Sequence, residues 1–150
     1  MRLAVVDASV AITWAMADEE TPPAESELLR SVQSRMARLL APSIWEYEVA
    51  NALNLAVCRG RVPDAGAREA LAILRGLDVE IADFELVADQ AWRIALEHRV
   101  TIYDASYVAL ARTRGCEFCT GDKRLARVAA KEGVARWAGN GGALPPASNA

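Results

Sequence analysis

Short apolar runs alternate along the chain with longer segments in which apolar residues recur every three or four positions. The first run, Leu3 to Val6, is wholly apolar, which is typical of a strand buried on both faces of a parallel sheet. Further short strands are predicted at 39–41, 79–81, 116–120 and 134–137. Helices are predicted at 10–16, 25–40, 43–59, 63–74, 84–97, 103–113 and 123–131. Strands that alternate with helices predict an α/β fold with a parallel sheet.

The length of 150 residues suits one domain. We expect this domain to span residues 1–138, and residues 139–150, which are rich in Gly, Pro, Asn and Ala, to form a flexible C-terminal tail. The longest early apolar run, 8–17, contains Ser9 and Thr13 and is too short to cross a membrane. No segment has the order of a signal peptide. We therefore expect a cytoplasmic protein without a membrane partner.

Acidic residues follow two of the predicted strands. Asp7 ends the first strand, and Thr120-Gly-Asp122 follows the strand at 116–120. In open parallel sheets, ligands bind at the carboxyl ends of the strands. Each aspartate also has a purely structural interpretation as a helix N-cap. For Asp7 the two interpretations have similar weight, because Ser9 is another candidate cap, whereas for Asp122 alone the cap is favoured.

Two further acids lie on predicted helices. The helix 43–59 places Glu48 and Asn51 on one side, which we predict to face inward, with Ile44, Tyr47, Leu55 and Cys58. Glu46 points about 160° away from Glu48 on a regular helix. Glu48 could equally be a helix-face acid with its tip in water. Asp104 begins the helix 103–113, where a cap or first-turn acid suits the helix dipole.

If these elements meet at one sheet edge, four carboxylates share a cleft. Carboxylates in close contact either bind protons, with raised pKa values, or bind cations. Oxygen ligands suit Mg²⁺ or Mn²⁺, and such ions serve phosphate chemistry. The net charge of −3 argues weakly against a nucleic-acid partner. Without the four acids, however, the remaining charge is slightly positive, and all but two of the 17 basic residues are arginine, which binds phosphate well.

Four segments together resemble the sequence blocks of PIN-domain ribonucleases, particularly VapC-type toxins of toxin–antitoxin pairs. They are "VVDAS", "PSIWEYEVANAL", "TIYDASYVALA" and "CTGDKRLARVA", and they occur in the family's order. The resemblance implies a PIN-like fold, with a central parallel sheet of about five strands sandwiched by helices. It also implies cleavage of RNA by a metal-dependent endoribonuclease. As partners it implies a small antitoxin that covers the acidic cleft, a homodimer, and a toxin–antitoxin hetero-oligomer.

Matched position by position, the resemblance assigns the four acids as Asp7, Glu48, Asp104 and Asp122. Ser9, Asn51 and Thr120 match polar positions beside these acids. Our hypothesis is that the first three acids hold Mg²⁺ or Mn²⁺, and that Asp122 helps to place this ion, a second ion or the attacking water. A metal-activated water would then hydrolyse the RNA phosphodiester.

Three other functions fit parts of this pattern. A receiver domain also has an acidic Mg²⁺ pocket, but it usually shows adjacent acids after its first strand, which "VVDAS" lacks. A phosphatase with a nucleophilic aspartate usually has a second acid two residues later, where this chain has Ser9. A catalytically silent PIN-fold binding module is the third alternative, and the presence of all four acids argues against it.

Overall fold

The computed structural model describes residues 1–16 and 19–134 in full and the backbone of 137–138. Its strands are β1 (Arg2–Val6), β2 (Ala37–Pro42), β3 (Val79–Ala82), β4 (Glu117–Thr120) and β5 (Trp137–Ala138). Its helices are α1 (Ala8–Ala15), α2 (Pro23–Gln33), α3 (Trp45–Cys58), α4 (Asp64–Arg75), α5 (Ala88–His98), α6 (Ile102–Arg114) and α7 (Lys123–Lys131). The predicted α/β fold is confirmed. The tail at 139–150 lies outside the described residues, so its boundary and flexibility stay predictions.

All five strands are parallel, and their order across the sheet is β3-β2-β1-β4-β5. The chain therefore builds the sheet outward from β1 through β2 to β3, and then returns to add β4 on the other side of β1. The point where this order reverses lies between β1 and β4. In open parallel sheets, ligands bind outside the carboxyl ends of the two strands at such a point. Val6 pairs with Cys119, so the residues that follow, Asp7 and Thr120, lie side by side.

Alternate residues of the central strands face opposite layers of helices, as the period of a strand requires. Val5, Leu40 and Phe118 belong to the larger core cluster, which includes residues of α3 to α7. Ala4, Leu39 and Cys119 belong to a smaller cluster with Leu28 of α2. Both faces of the sheet are thus covered, and the polar edge at the strand ends is where its side chains can meet a ligand. None of the helices in the described ranges is long and apolar enough to span a membrane.

The predicted helix 25–40 was too long. Helix α2 ends at Gln33, and Arg35 adopts a left-handed backbone conformation with φ of 60°. This conformation reverses the chain, so that β2 begins at Ala37. Arginine is not a residue that signals a left-handed turn, so the sequence offered no obvious stop. The predicted helix 84–97 is likewise divided, into a short 3₁₀ turn at Phe84–Leu86 and helix α5.

The predicted inward face of α3 was wrong. The helix buries a different stripe, composed of Trp45, Val49, Leu53 and Ala56. Tyr47 and Leu55 of the predicted stripe are exposed by 76% and 39%. Both stripes are apolar at a helical spacing, and the contacts of α3 with α1 and α4 select between them. Glu48 lies at the border of the buried stripe and is half-buried, whereas Glu46 is exposed.

Candidate active site

Asp7 is the centre of the polar edge between β1 and β4. Its side chain is only 6% exposed and caps helix α1, since Oδ1 accepts a hydrogen bond from the backbone N–H of Val10 at 3.1 Å. Oδ1 also accepts from the Ser9 hydroxyl at 2.6 Å, and Oδ2 accepts from the Thr120 hydroxyl. The structural interpretation of Asp7 as an N-cap is therefore confirmed, and the predicted cap at Ser9 was wrong. Capping leaves Asp7 free to act in a site as well.

Burial raises the pKa of Asp7 above its usual range, and the negative charge of Asp122 raises it further. The hydrogen bonds from Ser9, Thr120 and Val10 act in the opposite direction. A carboxylate has about four acceptor positions, and these three bonds leave room for one further ligand. Asp7 is thus a firmly oriented carboxyl group that can still bind one more partner.

A short relay of hydrogen bonds connects the loop after β4 to Asp7. The Ser9 hydroxyl, which donates to Asp7, accepts from the backbone N–H of Gly121 at 3.0 Å. The Thr120 hydroxyl, which also donates to Asp7, accepts from the backbone N–H of Asp122 at 3.0 Å. The predicted supporting residues Ser9 and Thr120 therefore both contact Asp7. Their bonds fix the position of Asp122 relative to the first acid.

Asp122 caps helix α7 with one of its two carboxylate oxygens. Oδ1 accepts hydrogen bonds from the backbone N–H groups of Arg124 and Leu125, at 2.9 and 3.1 Å. The structural interpretation of this residue is thus also confirmed. Its charge nevertheless acts on two other acids, since it raises the pKa of both Asp7 and Asp104.

Asp104 lies in the first turn of α6, three residues after the cap. Thr101 is the N-cap, and its hydroxyl accepts from the backbone N–H of Asp104 at 3.1 Å. The carboxyl group is therefore not used for capping and projects toward the other acids. Burial, followed by the charge of Asp122, raises the pKa of Asp104. The guanidinium of Arg124, 3.6 Å from Oδ2, partly offsets this increase.

Glu48 completes the cluster from helix α3. Burial is the largest cause of the raised pKa of Glu48, and the negative charges of Asp104 and Asp7 raise it further. The four predicted acids thus lie near enough that each is electrostatically linked to at least one other. Asn51, one turn after Glu48, is exposed, and its supporting role stays a prediction.

The sequence interpretation missed Tyr107, which lies beneath the acids. Its side chain is 1% exposed, and its hydroxyl has no hydrogen-bond partner among the described residues. Burial raises the pKa of this hydroxyl, and the charges of Glu48, Asp7 and Asp104 raise it further. Tyr107 lies three residues after Asp104, so the two side chains share one face of the helix. This spacing could have identified Tyr107 as a neighbour of the site.

The donor chemistry of the four acids suits a hard divalent cation, although no three of them, in the part of the chain that the structure describes, place carboxylate oxygens close enough together to share one ion. The donor set consists of carboxylate oxygens, which Mg²⁺ and Mn²⁺ prefer. Within the described residues, the ion pair between Arg124 and Asp104 is the sole one that involves the four acids, so most of their charge is uncompensated. The buried Tyr107 hydroxyl is a further polar atom without a partner at this place.

A second acidic group, formed by Glu97, His98 and Glu132, does not fit a cation. Glu132 is 8% exposed and accepts bidentate hydrogen bonds from Arg93, at 2.9 and 2.8 Å. It also bonds Arg112 at 2.8 Å and His98 at 2.9 Å. Its carboxylate is therefore already neutralised. The group joins α5, α6 and the end of α7, which is a structural role.

Glu25 is another buried acid that sequence reasoning missed. It is 2% exposed at the start of α2, where it resembled an ordinary first-turn acid. Burial, followed by the charge of Asp7, raises its pKa to about 7. Glu25 therefore adds negative charge near Asp7 when ionised.

Comparisons with known proteins agree with this architecture. The family model described as PIN domain matches residues 4–131. The chain is similar to Ribonuclease VapC3 from Pyrobaculum aerophilum, with 33% identity over 124 residues that cover 81% of this chain and 91% of that protein.

Solved structures show the same fold. The crystal structure of PAE2754 from Pyrobaculum aerophilum matches with a TM-score of 0.66 and 26% identity, and covers 85% of this chain and 79% of that one. The structure of VapBC2 from Rickettsia felis, bound to a DNA fragment from their promoter, contains a chain that matches with a TM-score of 0.62. Its identity is 12%, over 84% of this chain and 92% of that one.

Proposed function

Since the chain belongs to the PIN-domain family, we propose that it is an endoribonuclease that hydrolyses RNA phosphodiesters at the four carboxylates. The observation that carries the proposal is the electrostatic linkage of Asp7, Glu48, Asp104 and Asp122 at the point where the strand order reverses. The name of the relative Ribonuclease VapC3 supports RNA as the substrate. The family match also disfavours a receiver domain.

The activity would depend on Mg²⁺ or Mn²⁺ held by these four acids. A divalent cation, when bound, supplies positive charge for the phosphate oxygens and lowers the pKa of a water. Asp7 and Asp122 would present oxygens already oriented by hydrogen bonds to the ends of α1 and α7. Glu48 and Asp104, whose carboxylates cap no helix, would contribute the other oxygens from helices α3 and α6.

An arginine side chain would bind the phosphate groups of the RNA backbone. Arg124 is 61% exposed at its side chain and lies beside Asp104, so its guanidinium can bind a phosphate next to the scissile one. This arrangement explains how a chain with a net charge of −3 could bind RNA. We also expect the protein to act in the cytoplasm.

We further propose that the chain is the toxin of a toxin–antitoxin pair, and that it forms a homodimer and a hetero-oligomer with a small antitoxin. The VapBC2 complex matches this fold and so supports the proposal. A groove of about 330 Å³ is lined mainly by apolar side chains, among them Phe84 and two residues that precede acids in the sequence, Tyr47 and Tyr103. These three are exposed by 46%, 76% and 57%, an apolar surface that a protein partner could cover.

The proposed activity is tested by incubating the purified chain with total RNA and Mg²⁺. We expect cleavage by the wild type and a loss of about a hundredfold or more in Asp104→Asn, because the cluster loses a charged ligand. Asp89→Asn is the matched control, since Asp89 is an exposed first-turn aspartate of α5. Equal cleavage by the wild type and Asp104→Asn would refute the assignment of the site.

A further inference from the structure

We propose that the hydroxyl of Tyr107 is a positioning group for Glu48, to which it donates a hydrogen bond when Glu48 takes the orientation that binds the cation. The inference rests on the proposed function, because it assigns Tyr107 a role at the same acidic site. It adds to the four acids a neutral side chain that is buried in the core.

The ring of Tyr107 is fixed in the core. It is 1% exposed and stacks on Phe118 of β4, with the ring centroids 6.0 Å apart and the planes inclined by 22°. Phe118 pairs with Val5 of β1, two residues before Asp7. The Tyr107 ring is therefore anchored to the two strands at whose ends the site lies.

The hydroxyl at the end of this fixed ring is near enough to the acids to affect them and to be affected by them. Its proximity lowers the pKa of Glu48, and the charges of Glu48, Asp7 and Asp104 raise the pKa of the Tyr107 hydroxyl. In this structure, however, the hydroxyl has no hydrogen-bond partner among the described residues. The Glu48 side chain is half-buried and caps no helix, so it can change its orientation to accept this bond.

A buried hydroxyl without a partner is unfavourable for folding, because it gives up its hydrogen bonds to water and gains none in the protein. A phenylalanine at this position would keep the ring packing and remove that cost. The hydroxyl is therefore hard to explain by stability alone. Groups that orient the ligands of a metal, by contrast, typically change the metal affinity by about 10–100-fold when they are removed.

The test compares Tyr107→Phe with Tyr47→Phe, which removes an exposed hydroxyl from the residue next to Glu48. Affinity for Mn²⁺ is measured by calorimetry, and unfolding is followed by thermal melting. We expect Tyr107→Phe to melt no lower than the wild type and to bind Mn²⁺ about 10–100-fold more weakly. Tyr47→Phe should match the wild type in both measurements.

A second comparison uses Glu48→Gln. If Tyr107 acts through Glu48, adding Tyr107→Phe to Glu48→Gln should change the Mn²⁺ affinity by less than about twofold. Unchanged Mn²⁺ affinity in Tyr107→Phe alone would overturn the inference, as would a full additional loss in the double variant. A wild-type protein that neither binds Mn²⁺ nor cleaves RNA would instead overturn the proposed function, and the inference with it.

Discussion

The Thr120 hydroxyl donates a hydrogen bond to Oδ2 of Asp7 and so joins the end of β4 to the end of β1. The two residues are 113 positions apart in the chain. Thr120 is fully buried, and Asp7 is 6% exposed. The bond therefore orients a carboxylate that burial alone would disfavour.

Replacing Thr120 by valine should weaken both folding and the site. Valine keeps the shape but leaves the buried Asp7 carboxylate with one partner fewer, so we expect a loss of roughly 1–3 kcal/mol in the free energy of unfolding. We also expect weaker binding of Mn²⁺, because Asp7 is no longer fixed on its Oδ2 side. Urea unfolding measures the change in stability, and calorimetry measures the change in Mn²⁺ affinity. Thr113→Val, at an exposed position of α6, should leave both unchanged.

Gly121→Ala should disturb Asp7 indirectly. A Cβ at this position would lie 3.0 Å from Oγ of Ser9, the hydroxyl that donates to Asp7. The hydroxyl must move away, and we expect slower RNA cleavage as a result. In a Ser9→Ala background this clash is absent, because the added Cβ would meet only the Cβ of residue 9 at 3.5 Å. An equal further loss of activity in that background would show that the clash with Ser9 is not the cause.

Glu25→Gln should change how stability depends on pH. The folded-state pKa of Glu25 is raised to about 7 from 4.5, so the unfolded chain releases this proton first as the pH rises. Wild-type stability should therefore fall between about pH 4.5 and 7, by up to about 3 kcal/mol from this residue. Urea unfolding at pH 5 and pH 8 should show a smaller fall in Glu25→Gln.

The matched control for this measurement is Glu27→Gln, because Glu27 is an exposed acid on the same helix. Its fall in stability between the two pH values should equal that of the wild type. If Glu25→Gln also shows the wild-type fall, the buried carboxyl group of Glu25 is not its source.

Glu132→Gln should destabilise the fold without affecting the proposed cation site. Hydrogen bonds from Arg93, together with those from His98 and the charge of Arg112, lower the pKa of Glu132 to about 2. Its stabilising charge is present above about pH 4.5 and is lost as the pH falls toward 2. At neutral pH we expect a loss of about 2–3 kcal/mol, since the partner arginines are partly solvated.

Thermal melting and Mn²⁺ calorimetry on the same Glu132→Gln sample separate the two effects. Glu97→Gln, which removes an exposed partner of Arg93, should change stability by less than about 1 kcal/mol. Reduced Mn²⁺ affinity in Glu132→Gln would contradict the structural role given to this group.

Periodicity predicted the α/β fold, because the alternation of strands and helices follows from local patterns. Residue chemistry also selected the four acids, whose role in a site stays a prediction. Asp7 and Asp122 were identified by their positions directly after strands, which topology brings to one edge. The buried face of α3 could not be predicted, since two apolar stripes compete and packing against α1 and α4 selects one. Glu25 was missed because its significance arises from Asp7, which is distant in sequence. Tyr107 was missed although its spacing from Asp104 was a local signal, because Glu48 and Asp7, which also act on it, are distant in sequence.

The most direct test of the proposed cation-dependent site is the rate of RNA cleavage as a function of Mn²⁺ concentration, for the wild type and for Asp7→Asn. Asparagine is also a good N-cap, so helix α1 should persist in the variant. We predict that the wild-type rate rises with Mn²⁺ to a plateau and disappears with a chelator, and that Asp7→Asn loses about a hundredfold or more at every concentration. A wild-type rate that is unaffected by the chelator, or an Asp7→Asn curve that coincides with the wild type, would contradict the account.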